Sequence, residues 1–153
     1  MILAGNVTPY RDAIIAQVTE WFGGLPAKKT GDFERVTPQQ KAPQLTVVTK
    51  PDAAQAHLIV GLRGFARDSE DRFAWSLFNL IMGVSFTSRL FKEICEKRGL
   101  CYHVRSGNSS YADVGSWDFY AGVATDKVAE TTKAIMEELA KAKDGGVTDE
   151  EVT

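Results

Sequence analysis

The chain has 153 residues, 44% of them apolar and 25% charged, with a formal net charge of −2. That balance fits one globular domain with a sizeable core and argues against a disordered chain. The charges are interspersed rather than gathered in a basic stripe, which speaks against nucleic acid as a partner; the longest apolar run falls far short of the about 20 residues of a spanning helix, and the N-terminus has no signal-peptide pattern.

The chain opens with the apolar run Met1-Ile2-Leu3-Ala4-Gly5, which reads as a short strand. Thr8 can cap a helix whose first turn holds Pro9, and Tyr10, Ile14, Val18 and Trp21 follow at helical spacing until Gly23-Gly24. Residues 1–26 thus read as a strand-helix lead-in, and residues 27–43, poor in large apolar groups, as a surface loop.

Residues 44–153 form the expected main body of sheet and helices. Leu45-Thr46-Val47-Val48-Thr49 and Ala56 to Leu62 read as strands. Asp68 and Ser69, followed by Glu70 and Asp71, announce a helix through Phe73, Trp75, Leu77, Phe78, Leu80 and Ile81. Its apolar residues cover most of its circumference, so it is expected to be deeply buried. Strands are predicted around 100–106 and 115–123; in the second, Trp117, Phe119 and Ala121 alternate with Asp118 and Tyr120, as when one face packs inward. The last long helix starts at Thr125-Asp126, with Val128, Thr132, Ile135, Leu139 and Ala142 on its inner stripe and Lys133, Glu137, Glu138 and Lys141 outside. Thr148-x-x-Glu151 is then a capping box with two residues after it, which reads as a helix cut off and the chain as a fragment.

The most specific stretch is Ser88-Arg89-Leu90-Phe91-Lys92-Glu93-Ile94-Cys95-Glu96-Lys97-Arg98-Gly99-Leu100-Cys101-Tyr102: a capped helix, a glycine stop and a strand carrying a tyrosine. It resembles the S-R-L-F-x-x-[LIV]-R-E-x-x-G-L-x-Y run in the second, non-catalytic domain of pitrilysin-type zinc metallopeptidases, the group of insulinase and the mitochondrial processing peptidases. Asn6-Val7 with Trp21 to Pro26, Gln55 to Leu58 with Gly61, Asp71-Arg72 through Asn79-x-x-Met82-Gly83, and Tyr111-Ala112-Asp113-Val114-Gly115 resemble further segments of that family in the same order, so the likeness covers essentially the whole chain.

The resemblance implies an α+β fold in which an antiparallel sheet carries its helices on one face. It implies a non-catalytic, substrate-enclosing domain of a zinc-dependent endopeptidase, gripping extended peptide and serving a zinc site on another domain, of the same chain or a separate subunit, in a homo- or heterodimer. The alternative is a proteolytically inactive structural or peptide-binding subunit of a larger complex. Bacterial members occupy the cytoplasm or the periplasm, so no compartment follows.

The family contributes an arginine and a tyrosine spaced R-x6-Y, donors suited to the negative charge of a tetrahedral intermediate. Tyr102 stands at the tyrosine position; the arginine position holds Cys95, which supplies neither a fixed charge nor a fork of N–H groups. Arg98, nearly one turn on, is a substitute substrate contact, with placement at a helix C-terminus as its plainer role; Arg89 reads as structural. Where relatives have glycines before R-L-F, Gly83-Val84-Ser85-Phe86-Thr87-Ser88 predicts a stiffer or differently shaped turn.

The chain has neither H-x-x-E-H nor H-E-x-x-H, so no metal site is expected in it and zinc would sit in the partner catalytic domain. His57 and His103 read as partly buried structural imidazoles on strands. Cys101 with His103 is a conceivable nucleophile pair, with a half-buried apolar thiol as the plainer reading. Cys95 and Cys101, six positions apart across a helix end, could meet, although two cysteines in such a chain are more often independent free thiols than a staple.

Overall fold

A computed structural model of the chain describes residues 2–27, 31 and 33–152. They fall into two compact units, Met1–Glu34 and Arg35–Thr153. Met1, Thr153 and part of the expected 27–43 loop lie outside the described residues.

In the first unit a 3₁₀ turn, Thr8–Tyr10, leads into helix α1, Arg11–Phe22. Pro9 occupies the first turn as expected, whereas Thr8 makes no side-chain cap. The Gly23 N–H closes the helix on the Thr19 carbonyl at 2.8 Å. Ile2–Ala4 have no regular structure. A strand needs a neighbour to pair its backbone, and no strand forms among the described residues of this unit.

The second unit holds β1 (Ala56–Gly64), α2 (Arg72–Gly83), a π-helix (Phe91–Lys97), β2 (Cys101–Ser110), β3 (Gly115–Val123), α3 (Val128–Gly145) and α4 (Asp149–Val152). The strands form one antiparallel sheet in the order β1-β3-β2. The expected strand at 45–49 is absent: Leu45, Val47 and Val48 are exposed and pair with no strand. Alternating apolar residues make that segment strand-prone, but only hydrogen bonding to a neighbour would make it a strand.

The sheet buries one face. Trp117, Phe119, Ala121 and Val123 of β3 point into the core with Val104 of β2, and meet Met82, Leu90, Ile94, Ala134 and Ile135 from the helices. This is the α+β arrangement with helices on one face. Full burial of a side chain such as Phe119 contributes about 2–3 kcal/mol. Trp117 stands at the centre of an aromatic group, its ring 4.6 Å from Trp75, 5.5 Å from Phe78 and 4.3 Å from Phe119. Its indole N–H donates to Asn79 Oδ1 at 2.7 Å, while Ser106 Oγ donates to the Asn79 carbonyl. Helix α2 therefore docks on β2 and β3 by a buried polar contact as well as by apolar area. Its last residue, Gly83, lies so near β2 that a Cβ there would be 2.6 Å from the Ser106 nitrogen.

Two helical expectations need correction. Helix α2 is buried on one side only: Asn79, Ile81, Met82 and Gly83 are covered, and Phe73, Leu77 and Leu80 are exposed. Periodicity reports how apolar a helix is all round, not how many sides its neighbours cover. The buried stripe of α3 is Thr131, Ala134, Ile135, Glu138 and Ala142, so Glu138, expected outside, lies in the packed face with Lys141 Nζ as its ion-pair partner. The aliphatic stem of Lys141 reaches over from the rim, which lets a carboxylate occupy a core-facing position.

Candidate functional site at the start of the second strand

The signature stretch folds as Arg89-Leu90 followed by the wider π-helix, and the Leu100 N–H returns to the Ile94 carbonyl at 3.0 Å. Gly99 sits between them at φ +61°, the left-handed conformation that favours glycine at a helix stop. Ser88 does not cap with its hydroxyl, which is buried and unpartnered; its carbonyl accepts the Lys92 N–H at 3.0 Å. The preceding turn needs no glycine beyond Gly83. Val84 is right-handed helical at φ −94°, and Phe86 is exposed, its ring centroid 5.1 Å from that of Phe91 in a T-shaped contact.

At the strand entry the register slips. Cys101 pairs opposite Val123 and His103 opposite the adjacent Gly122, so Tyr102 is the extra residue of a β-bulge. The consequence is a change of face within three residues. Cys101 is buried among core side chains, Tyr102 is 94% exposed, and His103 is exposed on the helix-free face. The Cys101–His103 nucleophile pair is thereby excluded, because the bulge turns the two side chains to opposite sides of the sheet.

Cys95 Sγ and Cys101 Sγ lie 2.9 Å apart as free thiols, so they are neighbours rather than independent. Burial raises the Cys95 pKa, and burial together with its bond to Cys95 pushes Cys101 up to about 12. Arg98 is held by carboxylates from two elements, Glu137 of α3 at 2.9 Å and Glu93 of the π-helix at 3.1 Å. Glu137, then Glu93, raises the Arg98 pKa; Lys97, then Arg98, lowers that of Glu93. Arg89 grips Glu151, with its Nη2 also donating to the Gly146 carbonyl at 2.7 Å.

The histidines are not partly buried. His57 and His103 flank Tyr120 on the open face, His57 Nδ1 lying 2.8 Å from the Tyr120 hydroxyl and the His103 ring 6.1 Å from the Tyr120 ring. The Arg105 guanidinium lies 5.3 Å over the same ring. The signal was in the alternation: once Trp117, Phe119 and Ala121 face inward, Tyr120 faces outward, and antiparallel pairing brings histidines from both neighbouring strands beside it. Missing was the register.

Among the described residues no three His, Cys, Asp or Glu side chains gather as a metal site. Cys95 and Cys101 point into the core side of the sheet and the two imidazoles lie on the other, so the donors present do not fit zinc. No helix among the described residues is long and apolar enough to cross a membrane.

The sequence profile of the peptidase M16 inactive domain matches residues 1–153. The chain is 34% identical over 151 residues to an uncharacterised zinc protease, YmxG, of Bacillus subtilis strain 168, covering 98% of this chain and 35% of that protein. It is 42% identical over 98 residues to an uncharacterised zinc protease of Streptomyces coelicolor, covering 64% of this chain and 21% of the relative. Among solved structures, the peptidase M16 inactive domain of Pseudomonas fluorescens superposes with a TM-score of 0.62 at 32% identity, over 65% of this chain and 24% of that one. A protease of Helicobacter pylori shares the fold, with a TM-score of 0.77 at 23% identity over 92% of this chain and 35% of the other. The chain belongs to the peptidase M16 inactive-domain family. It spans about a third of the length of the Bacillus relative.

Proposed function

We propose that this chain is the non-catalytic, substrate-enclosing domain of a zinc-dependent endopeptidase, contributing peptide contacts to a zinc site carried by another domain. The observation that carries the reading is Tyr102: it is the extra residue of the β2 bulge and is 94% exposed. A bulge re-aims a side chain that regular pairing would place against a neighbour, and a phenol presented in this way can donate to a carbonyl oxygen that gains negative charge. Strand β2 is also an outer strand of the described sheet, so an extended peptide adding to its free edge would run beside Tyr102. Arg98 is secondary in this reading, because two carboxylates already match its charge.

Replacing Tyr102 by Phe in the assembled protein tests the proposal. The expected outcome is a fall of about 10²-fold in kcat on a peptide substrate with KM little changed. Unchanged turnover would remove Tyr102 from the chemistry.

A second reading, a proteolytically inactive structural or peptide-binding subunit, is favoured by Cys95 at the family's arginine position. It predicts that the assembled protein binds extended peptide without cleaving it, and that Tyr102→Phe weakens binding alone.

A further inference from the structure

We infer that Cys95 and Cys101 form a reversible disulfide that fastens the π-helix to the first residue of β2. The inference is independent of any contact between Tyr102 and substrate. Three features carry it. The two sulfurs are 2.9 Å apart, so closing to a bond of about 2.0 Å asks for a shift of less than an ångström. The elements that bear them already converge, through the Gly99 turn and the Leu100 N–H bond to Ile94, so closing the bond requires no rearrangement of the chain. The thiols also differ in access: Cys95 is half-buried and Cys101 fully so, which makes Cys95 the sulfur that meets an oxidant and Cys101 the one that resolves.

The oxidant class is a small-molecule disulfide. The Cys95 thiolate attacks one of its sulfurs and releases one thiol, forming a mixed disulfide. Cys101, having lost its proton to solvent, then displaces the second thiol, so two protein thiols become one S–S bond as one small disulfide becomes two thiols. Burial that holds both thiols in their protonated form withholds thiolate stabilisation from the reduced state, which favours the closed bond once made. The same burial makes closure slow at neutral pH. The bond would span the residues on the N-terminal side of Tyr102 and limit how far the bulge can move.

Trypsin cleavage after Lys97 and Arg98 separates the two cysteines, so the bond is directly readable. The intact protein carrying this chain would be equilibrated with mixtures of oxidised and reduced glutathione, alkylated with N-ethylmaleimide and digested without reduction. The expected product is one species joining residues 93–97 to residues 99–105, lighter by two hydrogens than the pair, absent in Cys95→Ser, and formed about tenfold faster per pH unit through the neutral range. Two separately alkylated peptides at equilibrium in the most oxidising mixture, or a persistent glutathione adduct on Cys95, would overturn the inference. Oxidation is also expected to raise the thermal midpoint by about 4 °C, and a lowered midpoint would likewise count against it.

Discussion

Arg89 and Glu151, 62 positions apart in sequence, meet side-on, Nε facing Oε1 and Nη2 lying 2.6 Å from Oε2. Both side chains are mostly shielded, at 17% and 26% exposure. Glu151 also accepts the Thr148 N–H at 2.8 Å, so the capping box of α4 and the signature arginine are one structure. The planar fork of arginine suits this geometry and the point charge of lysine does not. Arg89→Lys should cost about 1 kcal/mol and Arg89→Ala about 2–3 kcal/mol, measured by urea denaturation, because the second leaves a shielded carboxylate unpaired.

The same pair gives a pH dependence. Arg89, aided by the Thr148 N–H, lowers the Glu151 pKa to about 2 from an ordinary value of 4.5. A carboxylate depressed on folding contributes stability that is fully present above its unfolded pKa and is lost as pH falls through the folded one. Stability should therefore decline between about pH 5 and pH 2, by about 2 kcal/mol from this group after allowance for solvent screening. In Glu151→Gln that share of the decline should vanish while the plateau at neutral pH drops; an unaltered acid profile would show the pair to be energetically idle.

Gly83 and Gly61 form a matched test of backbone proximity. A Cβ at Gly83 would lie 2.6 Å from the Ser106 nitrogen, whereas one at Gly61 meets nothing within 4 Å. Gly83→Ala should destabilise by about 2–3 kcal/mol by forcing α2 away from β2, and Gly61→Ala should be within about 0.5 kcal/mol of neutral. Thermal denaturation of the two variants compares them directly.

Asn79 is the only described partner of the Trp117 indole N–H in a dry environment. Asn79→Leu should cost about 1–3 kcal/mol, since it strands a buried donor. The Trp117 fluorescence maximum should shift in the same variant, and an unchanged spectrum with unchanged stability would mean that the indole finds another acceptor.

The sequence and the structure agree where the signal is local. The alternation of Trp117, Phe119 and Ala121 identifies the buried face of β3, the Gly99 stop is where the helix ends, and Thr148-x-x-Glu151 opens α4. They part where the answer depends on distant residues. Leu45–Thr49 has the composition of a strand but no pairing neighbour, Glu138 enters the core because Lys141 reaches it from the rim, and α2 has an apolar flank that nothing among the described residues covers. The candidate site was half legible. Tyr102 was picked out by its motif, but its exposure comes from one surplus residue counted against β3, which β2 alone does not reveal. The imidazoles around Tyr120 were hidden for the same reason.

That surplus residue acts as a phase shift in a two-beat rhythm. Before Tyr102 the odd-numbered Cys101 looks into the protein, and after it the odd-numbered His103 and Arg105 look out, which is why a thiol and an imidazole two places apart share no surroundings. Excising Tyr102 would therefore join Cys101, opposite Val123, directly to His103, opposite Gly122, in an unbroken ladder that leaves thiol and imidazole on the faces they already occupy and removes only the displayed phenol.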